Sequence, residues 1–224
     1  AMTMMNDNDS FIREVNEELR SAQMKAIWKR FGPFIIGIAV LIVLGVAGAS
    51  LYQWWENSQA SASGDRFLSA LKDADENRKD AADKELVDLT KDGFGSYPVL
   101  ARLRLAAMKA ENVAAAVSDF SAIGKDQAVP PAVRNAARLR AAWLLVDTGK
   151  YDDISKEVEE LAVPSSPMRH SAREVLGLAA WKAGDYAKAR DWYKLIVDDA
   201  EAPGGAAQRA RTMLALITAS GKLS

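Results

Sequence analysis

The stretch at residues 176–193 reads LGLAAWKAGDYAKARDWY and predicts two short helices joined by a tight turn. Gly184 and Asp185 form turns readily, and they divide two runs in which apolar side chains recur every three or four positions. The same turn occurs earlier, because Gly-Lys-Tyr at 149–151 precedes Gly-Asp-Tyr at 184–186 by 35 residues. A period of this length predicts helix pairs that stack into an α-solenoid.

The unit that contains this stretch resembles a tetratricopeptide repeat. Six of its residues fall at the spacings where that class places a Leu-Gly pair, a turn glycine, an aromatic, an alanine and a second aromatic: Leu176, Gly177, Gly184, Tyr186, Ala189 and Tyr193. Gly177 and Ala189 are small where two antiparallel helices must approach, and the two tyrosines fill the space around that contact. The pattern therefore predicts close packing between the two helices of the unit.

Weaker copies of the unit precede it along the chain. The unit around Gly149 keeps Ala142 and Tyr151 but carries Ile154 and Val158 at the later positions. Residues 99–123 form a looser unit with its turn at 111–112, residues 59–92 read as another helix pair, and residues 206–219 as a lone final helix. Further turns are predicted where Gly, Pro, Asn and Asp occur, at 77–80, 93–98, 124–131, 164–167 and 203–205.

An uncharged stretch at residues 31–55 lies ahead of the repeats and contains the apolar run FIIGIAVLIVLGVAGASL at 34–51. About 20 apolar residues suffice to cross a bilayer as a helix, so the stretch predicts a transmembrane helix. Trp28 precedes the apolar run at 34–51 and Trp54 and Trp55 follow it, so these rings are expected at the two headgroup levels of the membrane. The alternative is a cleavable signal peptide ending at the small residues Ala-Gly-Ala at 47–49, which the long preceding region disfavours.

The charges beside this stretch predict its orientation. Arg20, Lys25, Lys29 and Arg30 precede it with no acidic residue among them, whereas Glu56 follows it and the next basic residue is Arg66. The positive-inside rule then predicts a cytoplasmic amphipathic helix at 1–30, a transmembrane helix at 31–55 and a periplasmic tetratricopeptide-like repeat domain at 56–224. The protein would lie in a bacterial inner membrane. Asp9 or Ser10 is predicted to cap the amphipathic helix.

The predicted fold is therefore all-α: a single N-terminal transmembrane helix, a tetratricopeptide-like α-solenoid of about four helix pairs, and a C-terminal capping helix. The composition excludes several functions. Lys and Arg number 29 against 30 Asp and Glu, so there is no basic field for nucleic acid, and without cysteine there is no thiolate chemistry. No catalytic motif occurs, and His170 is expected at the surface or near a helix start. We expect no enzyme activity, cofactor, metal or small-molecule substrate.

The first helix of each repeat is expected to line the inner groove of the solenoid. The residues predicted there to bind a protein segment are Leu139, Trp143, Val146, Glu174, Leu178 and Trp181. Aromatic side chains often dominate interface energies, which favours Trp143 and Trp181 as the main contacts. The alternative is that both tryptophans are ordinary core between repeats.

Four features together resemble the YfgM-like family, particularly its alphaproteobacterial members. They are FIREVNEELR at 11–20, WKRFG at 28–32, YPVLARLRLAA at 97–107, and the C-terminal repeats. This family comprises ancillary subunits of the bacterial SecYEG translocon. The resemblance implies a periplasmic repeat domain that contacts SecYEG and chaperones such as PpiD, assisting secretion. The alternatives are a structural scaffold for another cell-envelope machine, such as division or peptidoglycan synthesis, and more remotely a hydrolase.

Overall fold

A computed structural model describes residues 3–109 and 111–223, which contain helices and no strand. The helices are α1 (Thr3–Asp75), α2 (Lys79–Asp92), α3 (Tyr97–Met108), α4 (Val113–Lys125), α5 (Pro131–Leu145), α6 (Tyr151–Val158), α7 (Arg169–Lys182), α8 (Tyr186–Val197) and α9 (Gly204–Ala219). A 3₁₀ turn at Glu159–Leu161 follows α6. The all-α prediction is confirmed, and the turns fall where they were predicted.

The chain divides into two compact units, one up to residue 60 and one from residue 61. The first unit consists of α1 up to residue 60, and its large apolar side chains from Phe34 to Leu51 are all exposed. α1 is long and apolar enough to cross a membrane, and its most apolar window has no buried residue. The predicted helix cap at Asp9 or Ser10 is wrong. α1 begins at Thr3, upstream of both residues, in a stretch that includes Met4 and Met5, which favour helix.

The second unit is a stack of helix pairs. The last part of α1 packs through Phe67 and Ala70 against Leu86 and Leu89 of α2, and Ala101 of α3 completes this core. The pairs α3 and α4, α5 and α6, and α7 and α8 follow, each helix contacting the next, and α9 closes the stack. α5 also contacts α7, and α7 contacts α9, so the first helices of successive pairs lie side by side. The four pairs and the final helix agree with the predicted solenoid.

Gly184 and Asp185 show how the sequence sets a turn. Gly184 has φ +80°, a conformation that side chains disfavour, and it ends α7. The Asp185 amide donates to the Ala180 carbonyl at 2.9 Å and the Gly184 amide to the Trp181 carbonyl at 3.1 Å, a pattern that satisfies the last carbonyls of the helix. The Asp185 side chain then accepts from the Lys188 amide at 3.0 Å and caps α8.

Close packing between α7 and α8 requires glycine at position 177. A Cβ atom there would lie 2.9–3.1 Å from three ring carbons of Tyr193, a residue that is 1% exposed. Ala189 is fully buried in the same core. In the preceding unit, Ile154 and Val158 are also buried. Ile154 stands where the last unit has Ala189, and Val158 stands where it has Tyr193. One replacement is larger and the other smaller, so the two changes in side-chain volume offset each other in the core.

Candidate protein-binding groove

The first helices of the last two pairs, together with α9, form a concave surface with a cavity of about 660 Å³. Eight of the nine lining residues belong to α5, α7 and α9, and the ninth is Tyr193 of α8. The nine lining residues are Trp143, Ser171, Glu174, Leu178, Tyr193, Gln208, Arg209, Thr212 and Met213. A cavity of this size can accept one or two large side chains of a binding partner.

The lining of the cavity is mostly apolar. Trp143 is 37% exposed, although indole side chains in a helix stack are usually covered. Leu178 and Met213 complete the apolar part of the lining. Burial and the negative charge of Glu174 raise the pKa of Tyr193, so its phenol is neutral at ordinary pH. The apolar surface around Trp143 therefore favours an apolar side chain of a partner.

One ion pair crosses from α7 to α9 at this cavity. The Arg209 guanidinium donates to both carboxylate oxygens of Glu174, with Nε to Oε1 at 2.6 Å and Nη2 to Oε2 at 3.1 Å. The Glu174 side chain is 15% exposed and that of Arg209 is 62% exposed. The hydrogen bonds to Glu174 raise the pKa of Arg209. The ion pair holds α7 and α9 at a set spacing at this point. The Arg209 guanidinium is the more exposed of the two charged groups.

A family model described as a tetratricopeptide repeat-like domain matches residues 25–214. The chain belongs to this family. No curated protein and no solved structure gives a significant match. Tetratricopeptide repeat-like domains are non-enzymatic modules that bind other proteins, and solenoids of this type use their concave surfaces for binding.

The tetratricopeptide repeat-like fold brings three of the six predicted groove residues together. Trp143, Glu174 and Leu178 line the cavity. The other three do not line this cavity: Val146 is buried, Leu139 is partly buried against the same cluster, and Trp181 is partly buried against the core between α8 and α9. Their binding role stays a prediction, but only the first three are placed to contact a partner inside this cavity.

The sequence reasoning missed the contribution of α9. A capping helix is not expected to line the groove, but α9 contributes Gln208, Arg209, Thr212 and Met213 to the lining. The repeat period contained the signal, because adding 35 residues to Glu174 gives Arg209 and adding 35 to Leu178 gives Met213. α9 therefore acts as the first helix of a further unit and supplies the third wall of the groove.

His170 lies in the first turn of α7, near a helix start as expected, and its side chain is partly buried, with 13% exposed. Its Nδ1 atom is 3.9 Å from the Asp199 carboxylate. Asp199 accepts from Arg169 Nε at 2.7 Å and from Arg173 Nη1 at 3.1 Å, and Arg173 also donates to the Ala162 carbonyl. The bonds to Asp199 join α7 to the turn after α8, and the bond to Ala162 joins α7 to the residue that follows the 3₁₀ turn. Among the described residues no group of His, Cys, Asp and Glu is placed to hold a metal ion.

Proposed function

We propose that the protein is a membrane-anchored scaffold that holds a segment of a partner protein in the groove between α5, α7 and α9. The observation that carries this proposal is the cavity of about 660 Å³ beside the exposed indole of Trp143. Interface energy is usually concentrated in a few aromatic and apolar side chains within a pocket. An apolar side chain of the partner would displace water from Trp143, Leu178 and Met213 when it enters.

We further propose that residues 31–55 cross a bacterial inner membrane once, with residues 1–30 in the cytoplasm and the repeats in the periplasm. Two observations support this arrangement. The apolar side chains of the stretch are exposed within their own unit and need an apolar surrounding. Four basic residues precede the stretch and one acidic residue follows it directly, which the positive-inside rule relates to the cytoplasmic side.

The partners we propose are the SecYEG translocon and a periplasmic chaperone such as PpiD, with a role in secretion and chaperone handover. The support is the resemblance of the N-terminal helix, of the WKRFG stretch and of α3 to the YfgM-like family. Anchoring suits a groove of modest affinity. When both proteins are confined to the same membrane, the effective concentration rises without any new contact.

The test is photo-crosslinking in intact cells from a photoreactive residue placed at Leu178 or Met213. The matched control is Leu195, an apolar and 46% exposed residue of α8 that does not line the cavity. We expect a translocon subunit or a chaperone to be captured from the two groove positions and not from Leu195. Capture of a division or peptidoglycan-synthesis protein instead would support the alternative envelope scaffold. Equal capture from all three positions would contradict a groove-specific site.

A further inference from the structure

Four residues of the first unit share one face of α1 just before the apolar run. Lys25, Trp28, Lys29 and Gly32 occur at i, i+3, i+4 and i+7, the spacing of a single helix face. The Trp28 indole folds toward Gly32, where an added Cβ would meet its Nε1 at 3.6 Å. The indole remains 60% exposed. An aromatic ring therefore lies on the helix surface between two lysines, one turn apart.

The two lysines carry charge that the surrounding sequence does not neutralise. No acidic residue occurs between Glu18 and Glu56. Lys25 and Lys29 are four residues apart, about 6 Å along the helix, and like charges at this spacing destabilise a helix. An anion bound between the two ammonium groups would remove the repulsion and contact both.

Apolar surface continues directly from this pair of charges. One shallow depression on the helix is lined by Met24, Lys25, Ile27, Trp28, Lys29 and Ile35. Ile35 and Ile36 lie one turn beyond Gly32, and both are exposed. A ligand that fits this face has an anionic head for the lysines and an apolar tail along the isoleucines, with the amphipathic indole at the boundary between the two. That is the chemistry of an anionic phospholipid.

We propose that the face formed by Lys25, Trp28, Lys29 and Gly32 binds the phosphate headgroup of an anionic phospholipid, with an acyl chain along Ile35 and Ile36. The proposal rests on the membrane span proposed above, but it goes beyond it by assigning a site on one helix face. Arg30 is the internal comparison. It points to the opposite side of the helix, where its guanidinium carbon lies 5.7 Å from the centre of the Phe31 ring.

Trp28 is a natural reporter of this site. The full-length protein with Trp54→Phe and Trp55→Phe is reconstituted into vesicles of phosphatidylglycerol and phosphatidylcholine in equal amounts. Only one of the two lipids carries bromine, a short-range quencher, in each preparation. The three tryptophans of the repeats contribute background fluorescence. This background is measured in a variant that carries Trp28→Phe as well as Trp54→Phe and Trp55→Phe. We expect brominated phosphatidylglycerol to occupy the position beside Trp28 at least about five-fold more often, since that is the factor for even one basic residue near an anionic surface.

Two variants separate a site from a general positive field. Lys25→Gln with Lys29→Gln should abolish the preference for phosphatidylglycerol, whereas Arg30→Gln should keep most of it. With Trp54 and Trp55 as reporters and Trp28→Phe, no preference is expected, because the first basic residue beyond them is Arg66.

Each outcome bears on a different proposal. If neither brominated lipid quenches Trp28, the lipid site is wrong, and if neither quenches Trp54 and Trp55 either, residues 31–55 do not lie in the bilayer and the membrane span fails as well. If both lipids quench Trp28 equally, the span stands and the lipid site is wrong. If Arg30→Gln removes the preference as fully as the lysine variants, the preference comes from the summed positive charge of the segment and the lipid site is wrong.

Discussion

Replacing Gly177 with alanine tests the repeat register, because two opposing effects predict opposite changes in the free energy of unfolding. Alanine is favoured over glycine by about 1 kcal/mol inside a helix, so Gly177→Ala would stabilise α7 if space allowed. The new Cβ, however, would lie 2.9–3.1 Å from ring carbons of Tyr193, closer than carbon atoms pack. Tyr193 is 1% exposed and cannot turn away into solvent. Overpacking of this kind costs about 1–3 kcal/mol. The cost of the clash should exceed the gain in helix propensity, so the free energy of unfolding should fall by about 1 kcal/mol.

The assay is thermal and urea unfolding of a fragment that begins at Gln59, followed by circular dichroism, after the fragment has been shown to be soluble and helical. A loss of about 1 kcal/mol corresponds to a decrease in melting temperature of about 2–4 °C for a domain of this size. Gly204→Ala is the matched control, because its Cβ would meet nothing within 4 Å at the first position of α9. It should be neutral or slightly stabilising.

A double-mutant cycle assigns the cause. In a Tyr193→Leu background the ring is absent, so Gly177→Ala should become neutral or stabilising there. A Gly177→Ala variant that is more stable than the wild type would refute the close contact between α7 and α8. Equal effects of Gly177→Ala in both backgrounds would show that Tyr193 is not the neighbour that matters.

Three further predictions concern the core, the buried ion pairs and the membrane topology. Ala189→Leu should destabilise the same fragment by about 1–3 kcal/mol, because Ala189 is fully buried, and an unchanged urea midpoint would show that the helix interface is misplaced. Hydrogen bonds from Arg169 lower the pKa of Asp199, so its contribution to stability is present above the unfolded pKa near 3.9 and is lost as pH falls below it. The stability difference between wild type and Asp199→Asn should therefore shrink between pH 6 and pH 3, and a constant difference would contradict this. Because the chain has no cysteine, Ser10→Cys and Ser58→Cys can each be labelled with an impermeant maleimide in cells with a permeabilised outer membrane. We expect Ser58→Cys to react before the inner membrane is opened and Ser10→Cys only afterwards, and the reverse order would invert the topology.

The fold was predictable where local chemistry decides it. Gly184 supplies the left-handed conformation that ends α7, and Asp185 caps α8, so both helix ends can be read from two adjacent residues. The spacing of Gly177, Ala189 and Tyr193 then indicates how the two helices pack. These features depend on residues close in sequence, which a single sequence displays directly.

The groove was only partly predictable, because its walls come from residues one full repeat apart. Glu174 and Arg209 are 35 residues apart and meet only when α7 and α9 pack side by side. Whether Trp143 or Trp181 faces the cavity depends on the rotation of each helix, and the pattern of apolar residues does not fix this rotation when both faces of a helix are apolar. One further 35-residue period from Glu174 and Leu178 leads to Arg209 and Met213, so the repeat period itself indicates that α9 lines the groove.

The groove is tested most directly by crosslinking from Met213 in two backgrounds, wild type and Trp143→Ala, with helicity and melting measured for both. Truncation of an aromatic residue that dominates an interface costs about 2 kcal/mol or more, so the yield of the partner crosslink should fall about tenfold or more in Trp143→Ala. Leu195→Ala, on the exposed surface of α8 outside the cavity, should leave the yield unchanged. A folded Trp143→Ala protein that crosslinks to the same partner as efficiently as the wild type would contradict the assignment of this groove as the binding site.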